Sequence, residues 1–255
     1  MSIKVELLPA LTDNYIPIII GANRSCYVVD PAEAKSVLQF TQAQNLNIEG
    51  ILNTHHHYDH VGGILEIAAN SKCKVYGPSY DIHRTPGIQQ PLQDGDTIEV
   101  LGEPVTVKYV PGHTLGHIAY YFENSGILFI GDTLFAMGCG RLFEGTPEQM
   151  YDSLSWVKSL PGDTLVYCAH EYTLNNSDFA LQVEPSNQRL QERRQHVMKA
   201  RELGQSTVPT KLTSKNKPIL FYGVILWKLN SSLELPNDAD EFTVFAKLRQ
   251  FKDEF

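Results

Sequence analysis

The run Thr54-His55-His56-His57-Tyr58-Asp59-His60 constrains this chain more than any other feature. Four of the nine histidines fall within it, with a carboxylate among them. It follows Ile48-Glu49-Gly50-Ile51-Leu52-Asn53, an apolar stretch that reads as a buried strand. Gly62-Gly63 and an amphipathic stretch from Ile64 to Ala69 come next. Imidazoles and a carboxylate crowded at a strand end are costly unless a cation binds them, and divalent zinc, iron or manganese takes such ligands. The bland alternatives are a polar turn with a chance histidine run, or a tag. A tag would sit at a terminus and would lack Asp59.

Three more apolar stretches end in a metal-binding side chain. Val105 to Val110 runs into Pro111-Gly112-His113-Thr114-Leu115-Gly116-His117, Ile127 to Ile130 into Gly131-Asp132-Thr133, and Thr164 to Cys168 into Ala169-His170-Glu171-Tyr172. A single Gly-His or Gly-Asp after a strand is common. An ordered set of four points to convergence on one edge of a sheet core, the usual place for a site in α/β proteins.

This set resembles the metallo-β-lactamase superfamily, whose signature is His-x-His-x-Asp-His followed by an isolated His, Asp and His. Within it the chain is similar to the glyoxalase II (hydroxyacylglutathione hydrolase) family. The supporting stretches are Leu11-Thr12-Asp13-Asn14-Tyr15, the histidine run, Gly112-His113-Thr114, Gly131-Asp132-Thr133, Gly138-Cys139-Gly140-Arg141, and Ala169-His170-Glu171-Tyr172-Thr173. The resemblance covers nearly the whole chain, through Arg249 to Lys252-Asp253-Glu254-Phe255. It implies an αββα sandwich followed by a helical C-terminal domain.

Following the family pattern residue by residue, His55, His57 and His113 hold one divalent ion. Asp59, His60 and His170 hold a second, and Asp132 bridges the two. Zinc is the first expectation, with iron or manganese accepted by the same ligands. Alternation in an extended loop turns His56 away, and His56 and His117 are expected in supporting roles. His83 and His196 read as ordinary surface or boundary histidines, and Tyr58 is given no role. Asp59 and Asp132, with a metal-bound hydroxide, are expected to carry the chemistry, since metal brings the pKa of bound water from about 15.7 toward 7. A thioester suits such a site because its leaving thiolate has a pKa near about 8.5 and needs no dedicated acid. The reaction the resemblance implies is hydrolysis of S-2-hydroxyacylglutathione, chiefly S-D-lactoylglutathione, to glutathione and a 2-hydroxy acid. Arg141, Tyr172, Arg249 and Lys252 match the family's glutathione-binding positions. Two departures stand out: Phe143 occupies a position where some members carry Tyr, and Asn216-Lys217-Pro218-Ile219-Leu220 replaces an Asn-Pro-Phe-like stretch.

Other functions are constrained by composition. The formal net charge of −8 argues against nucleic acid as the partner, since a phosphate-binding surface would need a basic stripe, and disfavours a nuclease. Two divalent ions set against Asp59, Asp132 and hydroxide still leave the site itself slightly positive for an anionic substrate. No apolar run reaches the roughly 18 residues that span a membrane, and Met1-Ser2-Ile3-Lys4-Val5-Glu6 reads as a first strand rather than a signal peptide. The four cysteines, Cys26, Cys73, Cys139 and Cys168, form no Cys-x-x-Cys pair, and a reduced cytoplasmic setting and a monomer are expected. Cys139 is not expected to be catalytic. A persulfide dioxygenase of the same superfamily is the nearest rival, weakened by the long extension after Thr173. A non-catalytic metal-binding interaction protein is the rival from another class.

Strands are expected at Ile3–Leu8, Tyr15–Ile20, with Pro17 marking an edge, and Ser25–Val29. Further strands are expected at Lys74–Tyr76, Thr97–Leu101 and Ile118–Phe122, the last joined through Asn124-Ser125-Gly126 to Ile127–Ile130. Helices are expected from Ala32 to Ala43, near Ile64–Ala69, and from Thr146 as N-cap to about Leu160. Past Thr173 strand signals fade. Asn187 to Leu203 and Asp238 to Phe255 read as helices and Thr207–Pro218 as a loop. The expected division is residues 1–173, catalytic, and 174–255, helical and substrate-binding.

Overall fold

A computed structural model describes residues 3–214, 217–218, 233, 235–236 and 238–255. Strand β1 (Lys4–Ala10) pairs antiparallel with β2 (Asn14–Ile20), and β3 (Ser25–Val29) adds antiparallel to β2. Helix α1 (Lys35–Ala43) returns the chain to β4 (Asn47–Leu52), parallel to β3. The short α2 (Tyr58–Val61) and α3 (Ile64–Ser71) lead to β5 (Lys74–Pro78) and β6 (Gln90–Leu92). Both add in parallel and complete a six-stranded sheet laid out in chain order.

A second six-stranded sheet follows. Strands β7 (Thr97–Val100), β8 (Glu103–Tyr109), β9 (Ile118–Phe122) and β10 (Ile127–Gly131) pair antiparallel in succession. A small ribbon of β11 (Leu134–Phe135) and β12 (Gly138–Cys139) and helix α4 (Pro147–Ser159) intervene. Then β13 (Leu165–Cys168) adds parallel to β10. Helices α5 (Thr173–Val183) and α6 (Gln188–Glu202) pack on each other. Strand β14 (Thr210–Lys211) closes the sheet edge against β13, and α7 (Glu241–Glu254) ends the chain.

Strand alternation sorts the core into three layers. Tyr15 and Ile19 of β2, Tyr27 and Val29 of β3, Tyr120 and Phe122 of β9, and Phe129 of β10 meet between the sheets. Their neighbours on the opposite faces meet helices instead. Ile16, Ile18, Cys26 and Val28 pack with Val37 of α1 and Ile64 and Ile67 of α3. Ala119, Tyr121, Leu128 and Ile130 pack with Met150, Leu154 and Val157 of α4 and Phe245 of α7. Because the central strands are covered on both faces, runs such as Ile127–Ile130 are continuously apolar. Each fully buried aliphatic side chain contributes about 1.5–3 kcal/mol. The architecture is the expected αββα sandwich with a C-terminal helical region.

Several local expectations need correction. Pro17 lies inside the first sheet, since β2 is flanked by β1 and β3. The register pairs β2 with β3 only from Ile18 onward, so the missing N–H breaks no bond to β3. Helix α1 begins at Lys35, because Pro31 O accepts from Gly63 N–H at 2.8 Å and holds residues 31–34 out of the helix. Helix α5 has no counterpart in the sequence reading. Residues 207–218 are not simply a loop, since they supply β14 and a pairing of Thr213–Ser214 with Lys217–Pro218. Asn216, Ile219 and Leu220 lie outside the described residues. Helix α4 has the expected Thr146 cap, reciprocated by Gln149, and Pro147 in its first turn. Helices α6 and α7 are capped by Asn187 and Asp240.

Candidate metal centre

Strands β8 and β10 are both antiparallel to β9, and β13 is parallel to β10. All three therefore run the same way, and their C-terminal ends deliver His113, Asp132 and His170 to one edge of the second sheet. Strand β4 of the first sheet brings the histidine run to the same edge. It is pinned there by two bonds across the sandwich. Ile118 N–H donates to Thr54 O at 3.0 Å, and Tyr120 Oη–H donates to Asn53 O at 2.8 Å.

Two of the three compact groups of possible ligands among the described residues are His55–His57–His113 and Asp59–His60–His170, and the third, Asp30–His55–His60, overlaps both. In the first, His57 Nδ1 stands 3.1 Å from His55 Nε2 and 3.0 Å from His113 Nε2. In the second, His170 Nε2 and His60 Nε2 lie 3.3 and 3.5 Å from Asp59 Oδ2. Asp132 sits between them. Its Oδ2 is 3.5 Å from His113 Nε2 and 3.3 Å from His170 Nε2, and its Oδ1 is 3.5 Å from His60 Nε2. All seven side chains expected to be ligands are thus brought together.

The protons on these rings show what the arrangement is for. His60 Nδ1–H donates to Asp30 at 3.1 Å, His113 Nδ1–H to Arg141 O at 2.7 Å, and His170 Nδ1–H to Asp13 at 2.8 Å. Thr54 Oγ1 gives its own proton to Asp30 at 2.6 Å and so accepts from His55 Nδ1–H at 3.1 Å. The Nε2 atoms of His55, His60, His113 and His170 therefore face one another and two carboxylates, bare on His55 and His113 and protonated on His60 and His170 until a cation displaces the proton. Among the described residues, His60 Nε2 and Asp132 Oδ1 are buried with no hydrogen-bond partner. Buried lone pairs aimed at one another are costly until a cation sits among them. The residues present fit divalent metal, and the site is built to bind it.

Electrostatics divide the triads. Burial lowers His55, His113 and, to about 4, His57, so these rings are neutral and ready to ligate. Burial also opposes charge on His60 and His170, but Asp132 and the neighbouring carboxylates outweigh it and raise them to about 10 and 11. Burial would raise Asp59, but His170 and His60 hold it well below the usual carboxylate range.

His56 points away as alternation required. Its Nδ1–H donates to buried Asp81 at 3.1 Å, and Asp81 accepts from Arg84 Nε at 2.9 Å. His117 supports the bridge: its Nδ1–H donates to Ile118 O and its Nε2 accepts from Asp132 N–H at 3.2 Å. Gly131 makes the sharp entry to Asp132 with φ +47, and a Cβ there would meet Thr54 Oγ1 at 2.4 Å and His117 Nε2 at 2.8 Å. Asp30 escaped the sequence reading. It accepts from Thr54 N–H, Thr54 Oγ1–H, Asn53 and His60, so it fixes the entire entrance to the histidine run. The signal was present, because Val28-Val29-Asp30 is another apolar strand ending in a carboxylate.

The four expected substrate-binding residues fall into two places. Tyr172 stacks on His170, ring centroids 4.7 Å apart and 3° from parallel. Arg141 is exposed and pairs with Asp253 at 3.3 Å. Arg249 is 7% exposed and is already engaged, donating to Cys139 O at 3.0 Å and Asp253 at 2.7 Å. Lys252 donates to Asn175 Oδ1 at 2.7 Å and lies over the rings of Phe179 and Phe255. It makes no ion pair among the described residues. Asp253, also absent from the sequence reading, clamps both arginines from one turn beyond Arg249. Phe143 is exposed, with its ring 5.5 Å from His57 and 5.3 Å from His113.

The model of the metallo-beta-lactamase superfamily matches residues 18–170, and that of the hydroxyacylglutathione hydrolase C-terminus matches residues 171–255. A curated hydroxyacylglutathione hydrolase from Synechococcus sp. (strain ATCC 27144 / PCC 6301 / SAUG 1402/1) is 47% identical over 99% of this chain and 100% of its own length. Among solved structures, the BLEG-1 B3 metallo-beta-lactamase superposes with a TM-score of 0.62 at 21% identity, over 66% of this chain and 91% of that one. TTHA1623 in a di-iron-bound form superposes with a TM-score of 0.56 at 26% identity, over 66% and 91%.

Proposed function

The chain belongs to the hydroxyacylglutathione hydrolase family of the metallo-beta-lactamase superfamily, and we propose that it hydrolyses S-2-hydroxyacylglutathione thioesters, chiefly S-D-lactoylglutathione, to glutathione and a 2-hydroxy acid. One observation supports the reading: Asp132 lies within 3.5 Å of a ring nitrogen in each of two ligand triads, in a chain whose C-terminal region matches the hydroxyacylglutathione hydrolase C-terminus.

His55, His57 and His113 would hold one divalent ion, Asp59, His60 and His170 the other, with Asp132 between them. Zinc is the first choice, and iron or manganese fits the same ligands. Such ions supply Lewis acidity, which polarises a carbonyl and makes water nucleophilic at neutral pH. The protein's own groups do the rest. Asp59 and Asp132 keep their charge and draw the site's cations to one spot. Tyr172, stacked on His170, walls the acyl side. Lys252 and Arg141 offer positive charge to the carboxylates of the glutathione moiety, and Arg249 fixes the Gly138–Cys139 strand beside them. The leaving thiolate needs no proton donor in the site, since its pKa of about 8.5 is within reach of solvent. The catalytic unit is proposed to end at residue 173 and the substrate-binding unit to run from 174 to 255. A monomer working in the cytoplasm, without nucleic-acid or membrane partner, accords with the acidic charge. No described helix is long and apolar enough to cross a membrane.

The test is thiol release from S-D-lactoylglutathione by metal-loaded protein, compared with a thioester that lacks the peptide. The expected result is turnover favouring the glutathione thioester and abolished by chelation. No thiol release, or oxygen uptake with glutathione persulfide in its place, would refute the reading.

A further inference from the structure

The turn between β1 and β2 ends at Asp13, and β2 opens with Asn14; the proposed reaction leaves both unused. Both reach into the metal centre, and both go to the same triad. Asp13 Oδ1 accepts from His170 Nδ1–H at 2.8 Å. Asn14, only 6% exposed, donates its Nδ2–H to Asp59 Oδ2 at 2.9 Å. The backbone locks the turn in place. Tyr15 N–H donates to Ala169 O at 2.7 Å, Glu171 N–H donates to Asp13 O at 2.9 Å, and Asn14 bridges His170 as an antiparallel pair. The side chain of Tyr15 adds a bond to Glu171 at 2.9 Å. The first triad has no such support. His113 leans on the carbonyl of Arg141 and His55 on the hydroxyl of Thr54, both neutral acceptors.

An imidazole whose remote N–H is held by a carboxylate is fixed in one tautomer and is a stronger donor at its other nitrogen. A carboxylate whose oxygen already accepts from an amide is fixed in rotation. We propose that Asp13 and Asn14 are positioning residues that set the metal affinity of the Asp59–His60–His170 position while leaving the three-histidine position alone. The proposal rests on the two-position reading of the site. It makes the two positions unequal: one is framed by carboxylates and one by neutral groups. The turn at residues 11–14 becomes the element that tunes one of them.

The experiment titrates zinc into the metal-free full chain against a competing chelator, resolving two affinities. Asp13→Ala and Asn14→Ala should each weaken one affinity by about 10- to 100-fold, the usual effect of removing such a support. The other affinity should stay within about twofold. Asp13→Asn keeps an acceptor of the same shape and should recover part of the loss. Since Asp13 acts through His170, adding Asp13→Ala to His170→Ala should cost nothing further, whereas adding it to His113→Ala should cost its full amount. Circular dichroism melts check that each variant is folded, and Asn14→Ala and Asp13→Asn decide the matter if Asp13→Ala is not. Unchanged affinities, equal losses at both positions, or a persistent Asp13 effect without His170 would overturn the proposal. Uptake of fewer than two ions by the unmodified chain would instead refute the two-position reading, while the Asp13 and His170 cycle would still decide whether Asp13 acts through His170.

Discussion

Gly140→Ala adds a single methyl group and changes no ligand, yet it should disable the metal centre. A Cβ at Gly140 would stand 2.0 Å from the carbonyl oxygen of Asp132 and 2.9 Å from His113 Nδ1. Neither contact can be relieved by a rotamer change. The first is with backbone, and the second is with a ring held by its bond to Arg141 O at 2.7 Å. A Cβ needs at least 3.0 Å, so either Asp132 or the segment carrying Gly140, just past β12, must move by about 1 Å. Overpacking of this kind costs about 1–3 kcal/mol, or roughly 2–10 °C in melting temperature for a chain of this size. The functional effect should be larger, since misplacing catalytic groups by about 1 Å can cost about 100-fold. The assay combines elemental analysis, a thermal melt, and kcat/KM on S-D-lactoylglutathione. Gly126→Ala serves as the control. That residue has a positive φ, +63, which Gly140 lacks, but nothing lies within 4 Å of its Cβ, so it should lose about 1 kcal/mol and keep its metal. A Gly140→Ala protein with full metal and kcat/KM within roughly threefold of the parent would refute the claim that Asp132 is held by this close approach.

Asp132→Ala removes a carboxylate facing both triads and should deplete metal and lower turnover by more than the roughly 100-fold typical of a supporting residue; full occupancy would remove Asp132 from the bridge. His56→Ala, whose ring faces Asp81, should keep both ions, and a metal-depleted variant would contradict the observed loop phase. Burial, reinforced by Arg249, lowers the Lys252 ammonium to about 8, so its charge is present below that pH and lost above it. KM for the glutathione thioester should therefore rise above about pH 8 with kcat little changed. Lys252→Arg should push the rise to higher pH, and an identical KM profile in that variant would exclude Lys252. The same shift means that the unfolded chain binds more protons between about 8 and 10.5, so Lys252 makes the fold gain stability as pH climbs through that window. Chelation should lower the melting temperature by about 5 °C or more, because a metal at 100 times its Kd stabilises by about 2.7 kcal/mol per site; a melt indifferent to chelator and zinc would mean that the ions are not held by the folded state.

The ligands were legible because each sits where an apolar run stops, and such runs survive in one dimension. Ile127–Ile130 before Asp132 is buried on both faces, and Gly50–Leu52 before the histidines is buried throughout, so nothing polar blurs their ends. Asp30 obeys the same rule after Val28-Val29, but Pro31 follows it directly, and Asp before Pro is equally the mark of a turn. Helix α5 was hidden for a different reason. Its buried residues include Thr173, Asn176 and Ser177, and Asn176 is used to donate to Ala136 O at 3.1 Å. A helix whose inner face is partly polar shows no apolar period. Strand β14 has only two residues and depends on Leu165 and Val166 for its pairing, so no local pattern could announce it. Pairing of Arg249 with Asp253 is an ordinary i, i+4 spacing on α7, yet only the fold shows that, among the described residues, Lys252 is the one of the two expected cations on that helix without an ion pair.

The ligands of each triad come from both sheets. His55 and His57 follow β4 while His113 follows β8, and Asp59 and His60 belong to the β4 side while His170 follows β13. An ion held by either triad would therefore be a cross-link that fastens one half of the sandwich to the other, as a disulfide would, but reversibly and by ligation. Neither position can be assembled by a chain that has folded only its first sheet. The second waits for His170, which arrives with the last parallel strand. Metal loading would thus report completed docking of the two halves, and amide exchange in the metal-free protein should quicken at Ile118 N–H, which donates to Thr54 O across the sandwich, ahead of any loosening within either sheet.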